Sequence, residues 1–68
     1  QENLLYTNEN PVNKLWNITI FNLEQQKSYV IANAHQKTIT GLTMINENVL
    51  SVSHDGFIKI WLFNATKN

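Results

Sequence analysis

Three consecutive residues, Ser53-His54-Asp55, carry the side-chain types of a nucleophile, a general base and an orienting acid. Their spacing denies them that chemistry. Successive side chains on an extended strand point to opposite faces, so three neighbours cannot converge on one reacting atom as acyl transfer requires. The two histidines, His35 and His54, are the other candidates, because imidazole is the commonest metal ligand. No third ligand stands at a metal-binding spacing from either, and the absence of Cys removes both a thiolate zinc site and a disulfide framework. Gly41 and Gly56 are the only glycines, so no phosphate-cradling loop can be built, and no paired carboxylates suggest a metal. The residues therefore predict no catalytic group, no cofactor and no metal.

The charges exclude further classes. The five lysines, Lys14, Lys27, Lys37, Lys59 and Lys67, are scattered, and the formal net charge is +0, so nothing predicts direct nucleic-acid or anionic-membrane binding. Trp16 and Trp61 lack the interleaved cations of a base-stacking surface. Trp16 shares strand parity with Ile18 and Ile20, which makes it part of their packed face. If the strand starts later, it belongs to the preceding loop and becomes an exposed anchor for a partner. Asn17-Ile18-Thr19 and Asn64-Ala65-Thr66 fit the N-glycosylation pattern, but the motif is frequent by chance in an Asn-rich chain, and the first opens a packed strand with no room for a glycan. Apolar runs of only a few residues predict no membrane span, and the polar start Gln1-Glu2-Asn3 is unlike a secretory signal. Together with the lack of Cys, this leans towards the cytoplasm or nucleus.

The elements that must position these residues are strands. Apolar residues come in short runs bounded by Asn, Gly, Ser and Asp, which predicts six strands at 3–7, 17–23, 28–32, 39–45, 49–53 and 57–63. Turn chemistry lies at Glu24 to Lys27, at Asn46-Glu47-Asn48 and at His54-Asp55-Gly56, and such short links force antiparallel neighbours. An all-β fold follows. The chain also repeats itself: Glu2-Asn3-Leu4-Leu5 returns as Glu47-Asn48-Val49-Leu50, and Ile18-Thr19-Ile20-Phe21 as Ile58-Lys59-Ile60-Trp61. The two offsets, Glu2 to Glu47 and Ile18 to Ile58, differ because an inserted loop between residues 8 and 16, containing Pro11, stands where the second unit has a tight Asp-Gly turn.

The second unit resembles a WD40 repeat. It offers Ala34-His35, a strand at 39–45, Val49-Leu50-Ser51-Val52-Ser53, the turn Asp55-Gly56, and Ile58-Lys59-Ile60-Trp61-Leu62. It departs from the family pattern at Ala34, where Gly is usual, and at Leu62, where Asp is usual.

The resemblance implies antiparallel four-stranded β-propeller blades, of which about one and a half are present. Residues 1–33 would be the second, third and outer strands of a divergent blade, and 34–68 the inner three strands of a following, closing blade near the C-terminal end of a larger ring. It implies a buried structural network of His35, Ser51, Asp55 and Trp61, with Ser53 as the alternative hydroxyl. Partner contacts would lie on loops, at Lys37, Thr38 and His54, and at Trp16 if it belongs to the inserted loop. The function implied is a non-catalytic scaffold that binds other proteins within a complex. The alternative is a substrate-recruiting domain of a larger regulatory enzyme or ubiquitin-ligase subunit. Taken alone, 68 residues with bare blade faces should fold poorly or aggregate, since a chain this short buries only ~60 % of its unfolded surface.

Overall fold

The computed structural model describes residues 2–63, which form six strands and no helix. These are β1 (Asn3–Glu9), β2 (Trp16–Asn22), β3 (Lys27–His35), β4 (Ile39–Ile45), β5 (Asn48–Ser53) and β6 (Ile58–Leu62). They make two three-stranded antiparallel sheets, ordered β1-β2-β3 and β4-β5-β6. Each connection within a sheet is a reversal, and the residues chosen suit it. Gly56 (φ 91°) and Asn46 (φ 58°) occupy the left-handed region that glycine and asparagine tolerate best.

The internal repeat is also a repeat of hydrogen-bond register. In the first sheet Leu4 pairs with Phe21 and Leu5 with Ile20; in the second, Val49 pairs with Trp61 and Leu50 with Ile60. The hairpin ends match as well. Leu23 N donates to Glu2 O at 3.0 Å, and Phe63 N donates to Glu47 O at 3.0 Å. A one-residue slip would turn every side chain over, so an identical register in both hairpins means that equivalent positions point the same way in each sheet.

The core lies between the sheets. Ile18, Ile20, Ala34, Ile39 and Val49 are its buried apolar residues, flanked by Leu5, Trp16, Ile31, Leu42, Met44 and Trp61. Each fully buried aliphatic side chain contributes about 1.5–3 kcal/mol.

Most strand ends move by a residue or more from the sequence expectation, and three of the shifts change the reading. Pairing of β1 with β2 runs on through Asn8 and Glu9, so the inserted loop shrinks to residues 10–15. Trp16 therefore leaves the loop: it is the first residue of β2, half-buried and packed on the core. Of the two readings of Trp16, the packed one fits, because the paired backbone on both sides turns its side chain inward, on the face of Ile18 and Ile20, and the conditional partner-binding anchor falls with the loop position it required. The third difference is the largest. β3 does not stop at Ala32 but continues to His35 past a register shift opposite Trp16 and Ile18. Asn33, at φ 58°, turns the backbone there, and its N–H is caught by Asn17 Oδ1 at 2.9 Å.

In the Asn17-Ile18-Thr19 pattern, Asn17 Oδ1 is engaged by the backbone of β3 and Thr19 is buried in the sheet. Asn64-Ala65-Thr66 and Lys67 lie outside the described residues. No helix among the described residues is long and apolar enough to cross a membrane.

Candidate functional site

The last residue of β3 crosses from one sheet to the other. His35 pairs with Trp16 through its backbone, while its buried imidazole enters the second sheet. There Nε2 lies 2.7 Å from Ser51 Oγ on β5, and Nδ1 lies 2.9 Å from Asp55 Oδ2 in the turn. Trp61 on β6 completes the set, its indole Nε1–H donating to Ser51 Oγ at 3.0 Å. Strand alternation explains the meeting. Val49, Ser51 and Ser53 share the inner face of β5 with Trp61 of β6, which faces back towards β3.

The direction of each hydrogen bond follows from what each group can do. An indole N–H only donates, so Ser51 Oγ must accept from Trp61 and has one hydrogen left to give. It gives it to His35 Nε2. That nitrogen is then the lone-pair nitrogen of the neutral ring, and the ring proton sits on Nδ1, donated to Asp55. Among the described residues no buried side-chain nitrogen or oxygen lacks a partner. An unmade bond in this setting costs about 1–3 kcal/mol, so the set stands or falls together.

Asp55 is held from several sides. Its Oδ2 also accepts from Gln36 N at 3.0 Å, and its Oδ1 accepts from Phe57 N at 2.9 Å. Burial pushes its carboxyl upward, but the backbone N–H groups of Phe57 and Gln36, with the hydrogen bond from His35, outweigh burial and bring it from 3.8 to about 2. One carboxylate thus ties the β5–β6 turn to the link between β3 and β4.

Ser51, His35 and Asp55 have the connectivity of a hydrolase relay, a constellation that the consecutive letters Ser53-His54-Asp55 do not predict. Its surroundings close it to substrate. Ser51 has no exposed surface, and one of its lone pairs is occupied by the Trp61 indole. A nucleophile needs that lone pair and a path to it. Ser53, the alternative hydroxyl, is engaged elsewhere. Its Oγ donates to Lys37 O at 2.9 Å and accepts from Asp55 N at 3.1 Å, fastening the turn.

The loop candidates gather at one end of the molecule. Lys37, Thr38 and His54 are exposed, and His54 N donates to Thr38 O at 2.9 Å, which sets the β3–β4 link beside the β5–β6 turn. The inserted loop adjoins them through Asn13 Nδ2, which donates to Asn33 Oδ1 at 3.3 Å. Its tip is shaped by Asn10, whose Oδ1 accepts from Val12 N at 2.8 Å, and it exposes Val12. His35 and His54 share no third ligand, and no group of three metal-ligating side chains occurs among the described residues.

One contributor was not expected from the sequence. Lys59 Nζ donates to Ala34 O at 2.8 Å and lies 5.6 Å from the Trp61 ring centroid, so the second sheet grips the end of β3 at a further point. Its shared parity with Trp61 was the available signal. Of the two departures from the repeat pattern, Ala34 is fully buried beside this bond, and Leu62 lies exposed on the opposite face of β6. Comparison with known proteins finds no matching family model, no matching curated protein and no matching solved structure.

Proposed function

We propose that this chain is a WD40-like β-propeller segment acting as a non-catalytic scaffold, whose loops bind other proteins inside a cytoplasmic or nuclear complex. The observation that carries the reading is the His35–Ser51–Asp55–Trp61 network, which commits these four side chains to joining the two sheets while Lys37, Thr38 and His54 stand exposed on the loops. The repeated hairpin register supports it too, because a unit reproduced in register is what a ring of blades is built from. A rigid frame lets loops choose a partner without the entropic cost of ordering themselves on binding. Lys37, Thr38 and His54 are the contact residues in this proposal.

The test is affinity capture from cells with the full chain, comparing wild type with Lys37→Glu/His54→Ala and with a control, Glu24→Lys, in the turn at the other end of the sheets. Co-purifying proteins lost from the loop variant and kept by the control are the expected result. An unchanged set of proteins in the loop variant would overturn the proposal.

A further inference from the structure

The two sheets bury one face each against the other and leave two faces bare. Neither bare face carries a charge. Within the six strands the charged residues are Glu9, Lys27 and Lys59, and the pairing register gives all three the inward parity of Leu5, Ile20 and Trp61. The outward set is uncharged, and beside Asn, Ser and Thr it exposes apolar side chains: Leu4 (54 % exposed) and Tyr6 (56 %) on the first sheet, Ile58 (70 %) and Ile60 (68 %) on the second. Apolar, uncharged and contiguous surface of this kind marks an interface.

The repeat identifies what each face fits. Leu5 and Ile20, turned inward on the first sheet, are equivalent in sequence and register to Leu50 and Ile60, turned outward on the second. Conversely Val49 and Trp61, inward on the second sheet, are equivalent to Leu4 and Phe21, outward on the first. The bare face of the second sheet therefore matches the face that receives a following sheet, and the bare face of the first matches the face that is received. The contact already made inside the chain, which seals Ile18, Ile20 and Val49 completely, is one instance of that match.

We infer that a second copy of this chain supplies the next instance, stacking head to tail with its Leu4/Tyr6 face on the Ile58/Ile60 face of the first. Such a heterologous contact uses two different patches and leaves both free at the ends of the pair, so it continues until it closes into a ring or grows as a filament. The inference rests on the reading of the two sheets as successive units of one stack. The scaffold proposal is decided by loop variants at the sheet ends, which leave both faces intact, so either can fail without the other.

The experiment is sedimentation and native mass spectrometry of the 68-residue chain across a concentration series, alone and as two face variants. Wild type is expected to form species larger than a dimer. Ile60→Lys and Tyr6→Asp, at exposed positions that leave the core untouched, are each expected to lose the larger species and sediment as monomers. Mixed one to one, they should form a heterodimer that grows no further, since one intact face remains on each. A monomeric wild type overturns the inference. So does a dimer that survives in either variant alone, which is the mark of a two-fold contact through one face, and so does a mixture that stays monomeric.

Discussion

The hairpins β1-β2 and β5-β6 share a register, yet they are fastened by different chemistry. Where β5 and β6 set Ser51 and Trp61, β1 and β2 set Tyr6 and Phe21, and no histidine reaches them. The first hairpin is held by ladder bonds and by Ile18 and Ile20, with an Asn-shaped loop at its tip. The second adds a directional polar circuit. Apolar packing tolerates volume-conserving exchange, whereas a circuit with every donor and acceptor assigned tolerates almost none. The backbone pattern is thus common to both units, while the fixing of one sheet upon the next depends on four side chains in the second.

Breaking the circuit at its centre should separate the two most sharply. His35→Leu fills the space with an apolar group of similar size but strands Ser51 and Asp55, and is expected to cost about 3 kcal/mol or more, read as a fall in the urea midpoint. An equally conservative change in the first unit, Phe21→Leu, should cost less than half as much.

Acid should act on the second unit next. Asp55 titrates near 2 in the folded chain against 3.8 for the free group, so its contribution is fully present above about pH 4 and is lost as pH falls towards 2. Thermal unfolding followed across that window should show the loss, and Asp55→Asn should flatten the part of the acid dependence due to this residue. The smallest effect belongs to the exchange of aromatics. Trp61→Phe removes one donor to Ser51 and should cost about 1 kcal/mol, while Phe21→Trp, with no serine hydroxyl at the position of Tyr6 to accept from it in the same way, should gain nothing. A gain there would mean that the two hairpins are more alike than their side chains suggest.

The strand pattern was legible because alternation of apolar and polar residues is a local signal: Val49 to Ser53 and Ile58 to Leu62 read directly as half-buried strands. The letters of the network were legible only through resemblance. Nothing in the spacing of His35 and Ser51 says that they touch, since one closes a strand of the first sheet and the other lies within the second. The end of β3 was hidden by Asn33, a turn-forming residue that here bends a strand without ending it. Trp16 was ambiguous for a related reason, because its partner across the ladder, His35, was not expected to be in a strand. Ile58 and Ile60 are apolar and stand in solvent; periodicity reports which side of a strand is apolar and is silent about what lies against it.

His35 belongs by its backbone to one sheet and by its side chain to the other, and this overlap fixes the size of the cooperative unit. Were the sheets joined only by a linker and a greasy contact, each could open on its own, with separate exchange rates for its amides. Because the final residue of β3 is gripped by β5, β6 and the turn between them, the second sheet cannot open without releasing the end of the first. Amides of β3 and of β5 should therefore exchange as one subglobal unit, released together when a single imidazole is withdrawn.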